Sequence, residues 1–344
     1  NFIIMIIKHG KRHRLYKVQA WQRTLLFFIV LIAFNISCVD RNHLNTGKDK
    51  YKAIFTHPPL NIPTNKVPDG PIAGNGDVGF VIGGNNEELN FYFSKNDFWK
   101  SKPGYPDGGV FLPGGLNINI PSMKGTEFYA EQRLSDATIM MKMKNEVSDL
   151  TLKAWVVSSE NIVVLEFQNQ GTPVQVNLDL WSQTGNESVN KSGSEDGLSW
   201  ITRSFTGPEL EWPTEIAIAM KVTEENQSSF ILTDRPVKVI LGFCTNHELG
   251  DFLETAINIT SETNDKILSN LRETHEQWWS DFWSRSWIDI GDDFLEQCYY
   301  GSQYLLASCS RNAAFPPGLW GNSLTEDASF YNWAGDYHLN YNHQ

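Results

Sequence analysis

The chain has 344 residues, 41% of them hydrophobic, enough to bury a sizeable core and long enough for one large or two ordinary domains. Six of its 28 basic residues lie within the first 38 positions, so the remainder carries 22 basic residues against 40 acidic ones, a net charge of −18. So acidic a body argues against nucleic acid or an anionic membrane as the ligand and leaves neutral glycans compatible.

Residues 1–38 hold Lys8, Lys11, Arg12, Arg14, Lys17 and Arg23 with no acidic residue, followed by the apolar run from Leu25 to Phe34. A basic segment ahead of a short apolar one has the form of a secretory leader. The run is shorter than the ~18 to 20 apolar residues that cross a bilayer, so a transmembrane anchor is the weaker reading. Ser37-Cys38 and the polar Asp40-Arg41-Asn42 behind it resemble a lipobox, in which Cys38 would be cleaved at its amino side and acylated. The expected location is periplasmic or on the outer membrane of a Gram-negative bacterium, with the lipid as the sole membrane contact. A plain secretory signal is the alternative.

From Tyr51 to Gly250 the chain reads as about a dozen short β-rich runs broken by Gly, Pro, Asn and Asp. Among them are Val78–Ile82, Leu89–Phe93, Thr151–Val157, Ile162–Phe167, Val174–Leu180, Ile216–Val222 and Val237–Phe243. With no helical periodicity between them, they predict a large antiparallel β-sandwich. The polar stretch Gly185–Gly197 reads as a surface loop.

After Gly250 the pattern changes to apolar residues near a 3.6 spacing, in Phe252–Ile259 and Asp265–Phe282. Ile267, Leu268, Leu271, Trp278, Trp279 and Phe282 fall on one broad face, and residues 251–290 are read as a helical linker. Asp292-Asp293 offer an N-cap and acidic first turn to a helix over Phe294–Ser308. Beyond Arg311 the sequence is rich in Pro, Gly and Trp and aperiodic, which predicts a long and hence functional loop. A domain opening at residue 291 would hold only about fifty residues, too few for its own core, and is expected to be incomplete.

Three segments carry the chemistry. Gly74-Asn75-Gly76-Asp77-Val78-Gly79 lacks the Lys-Ser/Thr of a phosphate-binding loop and leads into a strand; it reads as a tight turn, or as a loop reaching toward a sugar pocket. Lys95-Asn96-Asp97-Phe98-Trp99 joins a cation, an amide, a carboxylate and two aromatics, which suits a sugar site and a structural corner equally. The third segment runs from Pro316-Pro317-Gly318-Leu319-Trp320-Gly321 to Asn332-Trp333-Ala334-Gly335-Asp336-Tyr337-His338-Leu339-Asn340-Tyr341-Asn342. Two amides two residues apart in an extended stretch could hold one water between them; a structural network of Asx turns is the plainer alternative. Cys244, Cys298 and Cys309 form no CxxC and no zinc spacing, and are expected to be buried thiols. No metal or other cofactor is implied.

Ser310-Arg311, Pro316-Pro317, Leu319-Trp320-Gly321, Trp333 and Asp336 to Asn342 resemble, in order, the start of the catalytic domain of family 95 glycoside hydrolases, the α-L-fucosidase group. Pro71 to Gly76 and Lys95 to Trp99 resemble that family's early Pro-x-Gly-Asn-Gly and Asn-Glu-Asp-x-Leu-Trp segments. The resemblance implies an N-terminal β-supersandwich, a helical linker and the start of a six-hairpin α/α barrel, acting on glycans with inversion at the anomeric carbon. It assigns water orientation to Asn340 and Asn342, with His338, Asp336, Trp320 and Trp333 as candidate substrate contacts, and places the acid and base carboxylates beyond residue 344. Gly318-Leu319-Trp320-Gly321 departs from the family's Asn-Leu-Gln-Gly, and Tyr341 stands where a small aliphatic residue is usual, so the sugar accepted is left open. A sugar phosphorylase on the same plan and a non-catalytic glycan-binding surface lipoprotein are the alternatives.

Overall fold

The computed structural model describes residues 50–64, 68–103, 108–223, 228–311, 314–319, 321–327 and 335. Cys38, Trp320, Trp333, Asp336, His338, Asn340 and Asn342 lie outside the described residues. In chain order the first strands are β1 (Lys52–Phe55), β2 (Ile72–Gly74), β3 (Val78–Gly84), β4 (Glu88–Lys95), β5 (Trp99–Lys100), β6 (Gly109–Val110), β7 (Gly114–Asn119), β8 (Tyr129–Arg133) and β9 (Thr138–Lys144). They are followed by β10 (Ser148–Val156), β11 (Ile162–Gly171), β12 (Val174–Ser182), β13 (Val189–Glu195), β14 (Leu198–Phe205), β15 (Thr214–Val222), β16 (Ser229–Leu232) and β17 (Val237–Thr245). Three α-helices follow, α1 (Phe252–Glu262), α2 (Asp265–Arg285) and α3 (Asp293–Cys309), and after them comes a 3-10 turn at Gly321–Ser323.

Nine strands form one sheet in the order β1-β8-β9-β10-β11-β17-β15-β14-β13, and six form a second in the order β16-β12-β7-β4-β3-β2. Every pairing between the described strands is antiparallel, and β5 with β6 makes a separate two-stranded piece. Alternation places Met141, Leu152, Leu165 and Val239 of the larger sheet in one core with Phe80, Phe91, Leu116 and Val176 of the smaller. Burying each such side chain contributes about 1.5–3 kcal/mol. The sandwich expected from the sequence is thus present, although barrel architecture is not displayed by three helices.

Seventeen strands are described where about a dozen are expected, and one of the extra strands corrects a reading. Gly185–Gly197 is not a loop throughout, because Val189–Glu195 is β13, paired residue by residue with β14. It is the edge of the larger sheet and carries Lys191, Ser192, Ser194 and Glu195 with little burial, so backbone hydrogen bonds define it and no apolar alternation marks it.

The helices follow their sequence signals closely. Asp251, Asn264 and Asp292 each cap the helix that follows, their side chains accepting from Glu254 N, from Ile267 N, and from both Phe294 N and Leu295 N. Small residues let α1 lie on the larger sheet: a Cβ on Gly242 would sit 2.5 Å from Thr260 Oγ1. The buried stripe of α2 is Leu268, His275, Trp279 and Trp283, so Ile267, expected on that face, is exposed, and His275 and Trp283 take places the sequence reading did not assign. The two added residues each make a polar contact, His275 through Nε2 to Asp136 O (2.7 Å) and Trp283 through Nε1 to Leu134 O (2.8 Å). The thiols are not uniformly buried either: Cys244 is, Cys309 is partly so, and Cys298 is exposed.

His275 has no exposed surface and packs against Trp155 and Trp279. Burial, helped by the charges of Arg272 and Arg311 and opposed by the bond to Asp136 O, pushes its pKa down to about 4. The unfolded chain therefore takes up a proton near pH 6.5 that the folded chain refuses until about pH 4. Stability contributed by the neutral ring is complete above pH 6.5 and declines as pH falls through that window, by about 3 kcal/mol in all. Denaturant midpoints measured from pH 7 to pH 4 should show this fall in the wild type and a flatter profile in His275→Phe; equal slopes would contradict the assignment.

Candidate functional site

The turn that the sequence singles out is built by Asn75. Its Oδ1 accepts from Asp77 N (3.0 Å) and Val78 N (2.8 Å), while its Nδ2 donates to Val157 O (3.1 Å) and Glu160 O (2.9 Å). Gly76 sits at φ +87°, the left-handed region a glycine enters freely, and its N–H donates to Ser308 O at 2.7 Å. The turn thereby receives the end of α3. Closeness matters at Gly74 too, where a Cβ would stand 1.8 Å from Asn322 Nδ2 and 2.4 Å from Ser308 O.

Beside this turn lies the Lys95–Trp99 segment, and the structure resolves its two readings for most of it. Lys95 is buried with its ammonium 2.9 Å from both oxygens of Asp77, 2.7 Å from Asp97 Oδ1 and 3.2 Å from Glu248 Oε1. Burial disfavours that charge, but Asp97, Asp77 and Glu248 together outweigh it and hold the lysine above its ordinary pKa. Glu248 is shifted upward by its own burial and by repulsion from Asp97 and Asp77, against the pull of Lys95. Asn161 donates to Asp77 Oδ2 (3.0 Å) and Glu248 Oε1 (2.7 Å), and Thr245 Oγ1 donates to Asp97 Oδ2. Asn96 donates to Gly76 O (2.9 Å) and Cys309 O (3.0 Å), and Phe98 is buried. Lys95 to Phe98 therefore form a structural corner. Trp99 alone of the segment is partly exposed, on the wall of a cleft of about 220 Å³.

Arg311 completes the joint from the helical side. Its guanidinium lies 3.7 Å from the Trp278 ring centre, with Nε donating to Ala307 O (2.8 Å) and Nη2 to Gly74 O (3.2 Å). Burial lowers its pKa to about 9. Further on, Asp327 anchors the segment after α3 by a bidentate pair with the wholly buried Arg203, at 2.7 and 2.8 Å. Asp327 also accepts from Leu112 N (2.9 Å) and Asn186 Nδ2 (2.6 Å), and Arg203 stacks near the rings of Phe111 and Phe205.

Three separated segments, Gly74–Gly79, Lys95–Trp99 and Ser310-Arg311, thus meet at one end of the sandwich. The described flanks of the long loop also come together, since Leu319 N donates to Gly335 O at 2.7 Å, one residue before Asp336. Sequence reasoning missed Arg203, Glu248, Asn322 and Asp327. An arginine in the strand run Ile201-Thr202-Arg203-Ser204-Phe205 was the one available hint. Among the described residues no group of three or more potential ligands is placed to hold a metal ion, and no helix is long and apolar enough to cross a membrane.

Residues 67–216 match a family described as a domain of unknown function, DUF5703. No curated protein matches the chain. Among solved structures, one described as a kojibiose phosphorylase from the human microbiome aligns at a TM-score of 0.53 and 11% identity, over 76% of this chain and 42% of that one. A bacterial glucoamylase complexed with acarbose aligns at a TM-score of 0.41 and 9% identity, over 75% and 44% of the two chains. The GH92 α-mannosidase BT3965 from Bacteroides thetaiotaomicron gives 0.29 and 10%, over 69% and 38%. The chain thus shares a fold with a carbohydrate-active protein and spans less than half the length of these structures.

Proposed function

We propose that this chain is the N-terminal part of an exo-acting, inverting glycoside hydrolase related to the α-L-fucosidases. The observation that carries this reading is the convergence of the segments that bear the resemblance: Pro71–Gly76, Lys95–Trp99 and Ser310-Arg311, far apart in sequence, interlock through Gly76, Asn96 and Arg311. The domains on this reading are the leader at 1–38, the sandwich at 51–250, the linker at 251–290 and an incomplete α/α barrel from 291. Helix α3 supports further helices, because it is apolar on two faces. Tyr300, Tyr304 and Ala307 are buried, whereas Phe294 (72% exposed), Leu295, Leu305 and Leu306 (60% exposed) line the opposite side. A helix with apolar residues on opposite sides buries both when it is covered on each.

In this mechanism a carboxylic acid protonates the leaving oxygen while a carboxylate about 6.5–9.5 Å away activates water on the other ring face. Asn340 and Asn342 orient that water, His338, Asp336, Trp320 and Trp333 contact the sugar, and residues 1–344 alone turn nothing over. Export by the leader and acylation of Cys38 hold the enzyme in the periplasm or at the outer membrane, where glycans are its substrates. In the protein carrying both carboxylates, Asn340→Ala and Asn342→Ala should each lower kcat on the order of a hundredfold with little change in KM. Unchanged kcat in both variants would remove the water-positioning role. A sugar phosphorylase is the second reading, since a structure sharing this fold is described as one. Turnover that requires inorganic phosphate would decide for it.

A further inference from the structure

The cleft beside Trp99 has no part in the joint. It is lined by Trp99, Lys100, Ser101, Lys102 and Glu211 together with Gly108 and Gly109. A pyranose presents one face of C–H groups and a rim of hydroxyls, so a protein holds it with an aromatic surface and fixed polar groups. Trp99 supplies the aromatic wall. Ser101 Oγ donates to Glu211 Oε2 at 2.7 Å and Glu211 N donates to Ser101 O at 3.2 Å, which fixes hydroxyl and carboxylate as one unit. That pair retains acceptor lone pairs for sugar hydroxyls.

Two features keep the cleft open and electrically balanced. Gly109 adopts φ +138°, and neither it nor Gly108 brings a side chain to the lining. The Lys100 ammonium is drawn away to Asn186 O (2.8 Å) and Glu187 (3.2 Å), leaving Glu211 and Lys102 as the charges at the cleft. Trp99 also pairs with Val110 and packs with Leu112 and Leu324, so the cleft is tied to the segment that follows α3.

We infer that this cleft is a binding subsite for one neutral sugar unit of a glycan, with Trp99 as its stacking face and Ser101 and Glu211 as its hydrogen-bonding edge. It deepens the hydrolase reading by giving the sandwich a direct hold on the substrate, and it is testable without turnover. The 344-residue chain should be retarded in native gels containing at least one of the neutral polysaccharides xyloglucan, arabinogalactan or starch. Glu211→Ala, on an exposed loop, and Trp99→Ala should each weaken that retardation at least tenfold. The Glu211 variant serves if loss of Trp99 disturbs folding, which a melting curve reveals. Retardation unchanged in Glu211→Ala, absent from all three gels, or confined to polygalacturonate would overturn the inference. Hydrolysis of an aryl α-L-fucoside by the protein that carries the acid and base does not need the cleft, so failure there sinks the hydrolase reading and leaves this one standing.

Discussion

Replacing Lys95 by methionine is expected to destabilise the protein by about 3–5 kcal/mol, because it removes one partner of a buried ionic cluster and leaves the others unpaired. Methionine fills similar space, so the loss is electrostatic and not a cavity. Asp77 and Asp97, with Glu248 beside them, would then face one another with Asn161 and Thr245 as the remaining donors. The pH dependence identifies the cause. Without the ammonium, Glu248, already shifted upward by burial and by repulsion from Asp97 and Asp77, loses the pull of Lys95 that opposes the shift, so the folded chain holds a proton that the unfolded chain gives up. The defect is therefore largest above the raised pKa and shrinks as pH falls. Urea midpoints at pH 7 and pH 5 measure it, and Asp97→Asn in the Lys95→Met background should recover part of the loss. A Lys95→Met variant within 1 kcal/mol of wild type at neutral pH would mean that the cluster is hydrated and of little consequence.

The second large effect belongs to Asp327. Its removal in Asp327→Ala strands the guanidinium of Arg203, which has no exposed surface, and deprives Leu112 N of its acceptor. A loss of about 3–5 kcal/mol is expected if the whole fold answers to this contact. The segment after α3 is the element that Asp327 anchors, so the same variant should be cleaved after Leu319, Trp320 or Leu324 by chymotrypsin much faster than wild type. Asp327→Asn keeps the shape and one acceptor and should lose less. Equal cleavage of wild type and Asp327→Ala would show that Asn322, through Ser308 O, and Thr325, through Thr64, hold the segment without it.

These two clusters also explain where reading the sequence stopped. A lysine two positions before an aspartate can be an exposed pair or a buried one, and nothing local distinguishes them. Asp77 and Glu248, which close the cluster, come from strand ends 171 positions apart brought together by the pairing of sheets. Arg203 is a similar case: alternation assigns it a face of β14, but only the loop carrying Asp327 makes that burial tolerable. β13 escaped for the opposite reason, having no buried side chains to advertise it.

By itself the sequence determined the antiparallel sandwich, the three helices and the Asp292 cap of the last, because all are consequences of short-range physics. Alternation with period 2 and Asx side chains ahead of a 3.6 period act over a few residues. The tertiary structure alone decided that Gly74–Gly79, Lys95–Trp99 and Ser310-Arg311 share one joint, which carboxylates surround Lys95, and that Trp99 turns toward a cleft shared with Glu211. Those arrangements depend on contacts between residues tens to hundreds of positions apart, where charge and shape complementarity select the neighbours and local propensity carries no information.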